Sequence, residues 1–270
     1  MKKIIKKRTR CVKESNGELK FIEFVIFDKK RNCIYEESDN MKYWIKFNDR
    51  NQEADSLMVI PGCINKEHND YDERGNLIFN QILYNKDNQG IFGFDLFDNE
   101  FEERMIYNDN DQLIKSICKD STETYEYDKN GNCIRITTDR PDGQEVVLND
   151  YDERGNCIHS VMTTSEGIEE WREYDENDRQ IHYRCLINGY NGYCEYDNEG
   201  RKIHYWASND DYEKMEETFW NYDEDGKVIS EICEGLETVF TYEYYGEDEP
   251  DMKDNPEYSF DQQLGNYWRD

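Results

Sequence analysis

Proline is nearly missing from this chain of 270 residues: there are four, and only Pro61 and Pro141 fall before residue 250. A backbone so free of proline keeps its N–H groups available for a hydrogen-bonded ladder. Also missing is any apolar run near the roughly 20 residues of a helical membrane span. The segment after the basic Met1–Arg10, CVKESNGELK, is polar where a secretion signal would turn apolar. The nine cysteines are odd in number and none sits in a Cys-x-x-Cys pair. That argues against a disulfide framework and for reduced thiols in a cytoplasm. There is no glycine-rich phosphate loop, nucleophile elbow or zinc-hydrolase helix, so no enzyme is expected.

What is present is aromatic and acidic. Only 36% of residues are hydrophobic, yet 14% are aromatic: 21 Tyr, 12 Phe and 5 Trp. A disordered chain of similar charge would be poor in rings, so a folded core built on them is expected. The net charge of −29 is uneven. The first 13 residues hold seven bases and no acid, leaving 26 bases against 62 acids in the other 257. Such a surface repels nucleic acid and anionic membranes and draws basic partners. It also keeps an exposed sheet from associating edge to edge.

One motif recurs along the chain. Clear copies start at Tyr71 (YDERGNLI), Tyr127 (YDKNGNCI), Tyr151 (YDERGNCI), Tyr174 (YDENDRQI), Tyr196 (YDNEGRKI) and Tyr222 (YDEDGKVI). Weaker ones start at Phe27, Phe47 and Tyr107, and a degenerate copy is possible at Phe97-Asp98-Asn99-Glu100. The spacing of 20 to 26 residues, with one interval of 36, leaves room for two strands per repeat. Asp opens a turn because its carboxylate bonds the backbone two residues on, and Gly supplies the positive φ that closes it. The structural residues are therefore Tyr71, Asp72 and Gly75; Tyr127, Asp128 and Gly131; Tyr151, Asp152 and Gly155; Tyr196, Asp197 and Gly200; and Tyr222, Asp223 and Gly226. If Asp pairs with Gly across the turn, Tyr125 with Tyr127, Cys194 with Tyr196, and Trp220 with Tyr222 share a core face with Ile134, Ile203 and Ile229. Residues six and eight after the motif aromatic then lie on the other face. A register shifted by one would exchange the faces.

The Tyr-Asp-x-x-Gly motif resembles the YD repeat of RHS and teneurin-type proteins, from about Phe27 to Tyr245. The resemblance implies a curved antiparallel sheet, which in that family spirals into a shell around a toxin domain. The chain departs from that family in its Gly-Asn-x-Ile turn exit, in having about nine units, and in lacking an autoproteolytic core. The expected fold is thus all-β, an extended curved sheet of repeated hairpins, with a small β-propeller as the alternative. Expected boundaries are a basic segment and first strand over 1–26, the repeat domain over 27–245 and an acidic C-terminal arm or cap over 246–270.

Candidate chemistry is thin. His159, His182 and His204 all stand eight residues after a motif Tyr, and Cys33, Cys133 and Cys157 stand six after theirs. A metal stripe would need these ligands within about 2.3 Å of one ion, whereas equivalent positions two strands apart lie on the order of 10 Å from each other. No metal or other cofactor is expected. Oxygen-rich turns such as Asp109-Asn110-Asp111 lack the ligand spacing of a calcium loop. Carboxylates at glycosidase spacing would need a cleft that the pattern does not mark. The arm over 246–270 holds eight acids and two bases, and as a binding element would use Glu247, Asp248, Glu249, Asp251, Asp254, Tyr267 and Trp268. The expected function is non-catalytic binding of a basic protein, as a cytoplasmic immunity protein against a nuclease-type bacterial toxin, with no nucleic-acid or membrane partner. A secreted or surface adhesion module for glycans or proteins, and a carboxylate-dependent hydrolase, are the alternatives.

Overall fold

A computed structural model describes residues 3–84, 100–163, 167–187, 189–212 and 214–267. The degenerate copy at Phe97 and the arm residue Trp268 lie outside the described residues. Among the described residues the chain is all-β apart from one short α-helix and a 3₁₀ turn, and it divides into two compact units: 1–104 with 238–270, and 105–237.

In the first unit the strands are β1 (Ile5–Lys13), β2 (Leu19–Phe27), β3 (Cys33–Ser38), β4 (Met41–Phe47), β5 (Glu53–Ile60), β6 (Cys63–Tyr71), β7 (Leu77–Tyr84) and most of β8 (Glu100–Tyr107). In the second they are β9 (Leu113–Cys118), β10 (Thr122–Tyr127), β11 (Cys133–Arg140), β12 (Gly143–Tyr151), β13 (Cys157–Met162), β14 (Ile168–Tyr174), β15 (Gln180–Cys185), β16 (Tyr190–Tyr196), β17 (Lys202–Ser208), β18 (Glu216–Tyr222) and β19 (Val228–Cys233). β20 (Leu236–Tyr244) and helix α1 (Phe260–Tyr267) return to the first. Within each unit successive strands pair antiparallel.

The connectivity corrects the expected open strip and its propeller alternative. β1 pairs with β20 as well as with β2, so the first and last strands are hydrogen-bonded neighbours. The ladder is that of a closed β-barrel. Closure satisfies edge groups that an open strip would leave exposed.

The motif turn holds one residue more than expected. Asp72 N–H donates to the Asn76 carbonyl (2.9 Å) and Gly75 N–H returns to the Asp72 carbonyl (3.1 Å). Asp72 Oδ1 also accepts from the backbone N–H of Arg74 and Asn76, at 2.9 and 2.8 Å. Asp therefore pairs with Asn, not with Gly. The fourth position has positive φ whether it is Gly75 (95°), Gly155 (90°), or the non-glycine Asn51 (66°) and Asp178 (61°).

The strand leaving the turn then carries a bulge. Tyr127 faces Cys133 while Glu126 faces Arg135, so Ile134 is an extra residue opposed by none. The same slip follows Tyr71, Tyr151, Tyr174, Tyr196 and Tyr222. This overturns the expected faces. Ile134 and Ile229, read as core, are 37% and 41% exposed. Positions six and eight fall on opposite faces, because a bulge re-aims one of them.

The motif tyrosines do more than fill space. Each hydroxyl donates to a backbone carbonyl in the preceding repeat: Tyr71 to Glu53, Tyr127 to Leu113, Tyr151 to Cys133, Tyr174 to Cys157, Tyr196 to Gln180 and Tyr222 to Lys202, over 2.6–3.0 Å. All six acceptors are the sixth residue after their own motif aromatic. Phenylalanine could pack similarly but could not make this bond.

The apolar core is concentrated in the first unit, where Ile26, Ile34, Tyr35, Trp44, Leu57 and Phe260 form one buried cluster. Phe260 belongs to α1, so the C-terminal arm lies over this part of the sheet. In the second unit Ala207 is the buried hydrophobic residue, and Ser116, Thr138, Thr218 and Ser230 are buried polar ones, among the described residues.

Candidate aromatic and carboxylate face

The bulge places three repeat positions on one face: the residue three before the motif aromatic, and those eight and ten after it. The residue one before the aromatic joins them, since it is paired with position eight. On β13–β18 this face reads as a ladder of rings. His159 stacks on Trp171 with centroids 3.9 Å apart. His182 stacks on Tyr193 (4.5 Å), Tyr193 on Trp206 (5.1 Å), Trp206 on His204 (4.7 Å) and His204 on Phe219 (4.2 Å). Trp171 and Phe219 remain 44% and 39% exposed, and Leu148 on neighbouring β12 45%.

Carboxylates frame each rung. His159 meets Asp150 through Nδ1 (3.0 Å) and Glu169 through Nε2 (2.9 Å). His204 meets Glu195 (3.2 Å) and Glu217 (3.1 Å), and His182 meets Glu173 (3.2 Å) and Asn191 (3.3 Å). Burial alone would lower the His159 pKa, but its hydrogen bonds to Asp150 and Glu169 outweigh burial and hold it above the usual histidine value. Glu217 is held below the usual carboxylate range by the Lys214 ammonium and by His204, against the opposing effect of desolvation. Arg184 is the exposed base on this face, opposite Trp171. Among the described residues no group of three or more His, Cys, Asp or Glu is arranged to hold a metal ion. The three histidines that share position eight are instead spacers in the ring ladder.

The first unit shows the same positions covered. Phe24 and Trp44 stand three before their motif aromatics, Tyr35 eight after, and Leu57 ten after. Over them lie Met252, Tyr258, Phe260, Leu264 and Tyr267 of the C-terminal arm. Tyr258 packs on Tyr35 (5.1 Å), Tyr267 on Trp44 (5.4 Å), and Trp44 Nε1 donates to the Glu257 carbonyl (3.0 Å). Position minus one on β4 is Lys46, which bonds Asp261 of the arm at 2.7 Å. On β12, β14 and β16 that position is Asp150, Glu173 and Glu195.

The arm residues read as partner-binding therefore have varied places. Glu249 accepts from Lys6 Nζ (2.9 Å), which holds its pKa down. Asp251 caps a 3₁₀ turn over Met252–Asp254 and accepts from Lys29 N–H (3.2 Å). Tyr267 is engaged with Trp44, while Glu247, Asp248 and Asp254 are exposed. The ring ladder itself was missed from sequence. Its signature is visible in retrospect, because Trp171 with Glu173, Tyr193 with Glu195, and Leu148 with Asp150 each precede a motif Tyr by three and one.

No protein-family model matches the chain. No curated protein matches it. Among solved structures, it is similar to the TcdB2-TccC3-TEV crystal structure at 14% identity and a TM-score of 0.33, covering 82% of this chain and 13% of that one. It is similar to the TcdB2-TccC3-Cdc42 structure at 13% identity and a TM-score of 0.38, over 83% of this chain and 14% of that one. A porin-like protein from Bacteroides uniformis aligns at 12% identity and a TM-score of 0.40, over 88% and 96% of the two chains. The chain thus spans about an eighth of the first two of these chains. No helix among the described residues is long and apolar enough to cross a membrane, which says nothing of a barrel that crosses with strands.

Proposed function

We propose that this protein is a non-catalytic binding module whose partner is a basic protein, and that it acts as a cytoplasmic immunity protein neutralising a nuclease-type toxin. We read its Tyr-Asp hairpins as a short relative of the RHS and teneurin repeats. The observation that carries the binding role is the contrast between the two faces just described. Where the face bears Lys46, the chain's own acidic arm covers it; where the face bears Asp150, Glu173 and Glu195, the rings of Trp171 and Phe219 stand open. Exposed rings framed mainly by carboxylates, with Arg184 and the Lys214 that bonds Glu217 as the bases beside them, suit a partner of positive charge. A nuclease domain is basic because it binds phosphates, so an acidic sheet would be steered to it and would compete with its substrate.

The test is co-expression with a basic toxin domain encoded beside this chain. Rescue of growth and recovery of a tight complex on pull-down are expected. Continued killing with no complex would reject the immunity role, and specific retention on a glycan array would then favour the adhesion alternative.

A further inference from the structure

The molecule shows repeatedly how it handles a planar cation. Arg179 lies over the Tyr196 ring at 4.9 Å while its Nε bonds Asp175 at 2.6 Å. Arg201 lies over Tyr222 at 4.9 Å with its Nε on Asp197 at 2.6 Å. Both combine a guanidinium stacked on a ring with a carboxylate at its edge. A third case sits on cross-strand positions equivalent to the ladder's: Arg104, three before Tyr107, lies 4.9 Å over Phe79, eight after Tyr71. At the equivalent rung of β13 and β14 the residues are His159 and Trp171, and on β17 and β18 His204 and Phe219. There an imidazole covers one side of each ring.

The exposed part of each ring has carboxylates within reach. Trp171 stands between Glu169 and Glu173 on its own strand, and Phe219 follows Glu217. Residues two apart on a strand share a face, so these carboxylates border the rings on the same side of the sheet. A guanidinium suits this arrangement better than an ammonium, because it stacks flat on a ring and offers N–H donors in its plane.

We propose that this face of β13–β18 docks an arginine-bearing segment of the protein partner, with guanidinium planes on Trp171 and Phe219 and their edges toward Glu169, Glu173 and Glu217. The inference rests on the binding role above and specifies its chemistry: arginine on the partner, read by rings and carboxylates together.

Calorimetry of the full chain with octa-arginine and with octalysine, at physiological ionic strength, tests it. Net charge alone would draw both peptides alike. The ladder should bind octa-arginine about tenfold more tightly, in keeping with cation–ring attraction at a partly exposed site. The double variant Trp171→Ala with Phe219→Ala should bring the two peptides to near parity without weakening octalysine. Both rings are exposed, so an unchanged thermal transition serves as the folding control. Equal affinity of the unaltered chain for the two peptides, a preference that survives the double variant, or no binding of octa-arginine would each overturn the proposal. A toxin complex that forms normally with the double variant would overturn this site and leave the immunity role standing.

Discussion

At the scale of single residues, the repeat is defined by two side chains whose hydrogen bonds explain their identity. The tyrosine hydroxyl joins each repeat to the one before it, so Tyr→Phe should cost stability with little change in shape. For Tyr127→Phe and Tyr174→Phe we expect losses of about 1 kcal/mol each in denaturant unfolding, the usual net value of one such bond. Tyr151→Phe should cost less, because the Cys133 carbonyl that it leaves also accepts from Asn149 Nδ2 at 3.0 Å. The turn aspartates predict a pH dependence. Backbone N–H bonds, with those of the Asn132 and Asn156 side chains, hold Asp128 and Asp152 below the usual carboxylate range against slight desolvation. Their folded pKa is depressed, so the stability they lend is present above the unfolded value near 4 and is lost as pH falls through the folded value. Asn48 and Asn108 fill the same position and accept the same backbone bonds. Asp128→Asn with Asp152→Asn should therefore keep the fold and flatten the loss of stability below pH ~4. A thermal melt series across pH 2–6 that kept its full slope would contradict that assignment.

At the scale of elements, the places of the turns were legible in the sequence, whereas their closing pair and the faces were not. Turn chemistry is local: Asp72, Gly75 and Asn76 declare their conformations within five residues. Facing is a property of register, and one extra residue such as Ile134 shifts it without any change in composition. Hence the isoleucines seemed core, and the histidines seemed equivalent to the cysteines two residues earlier. The bulge separates them: Cys157 faces Tyr151, and His159 faces Asp150 and Trp171. The arm was legible as a cap or a binding element but not as both possibilities resolved, since Tyr267 is aromatic in either case. Its packing supplies a prediction. Phe260 is 5% exposed in the cluster with Trp44 and Leu57, so Phe260→Ala should cost about 3–5 kcal/mol, the range for deleting a buried ring. Tryptophan emission should shift to the red as Trp44 is exposed. Unchanged emission and stability would show that the arm does not hold that face in solution.

At the scale of the whole molecule, charge rather than shape organises the expected behaviour. With a net charge of −29, association with a basic partner should slow steeply as salt rises, because steering is screened beyond about 10 Å at 0.1 M ionic strength. Stopped-flow mixing at several salt concentrations should show the association rate falling while the dissociation rate moves little. An association rate indifferent to salt would separate the acidity from binding and return it to solubility alone.

The tyrosine bonds also have a direction in time. In all six motif repeats the donor comes later in the chain than its acceptor, by 14 to 20 residues. During synthesis each repeat would therefore meet an anchor that has already left the ribosome, and ordering could follow the order of translation. One bond keeps that order but spans most of the chain. Tyr245 donates to the carbonyl of Phe27, 218 residues earlier, beside the pairing of β20 with β1. The growing chain must hold that first edge open, and safe from other chains, until the last strand arrives.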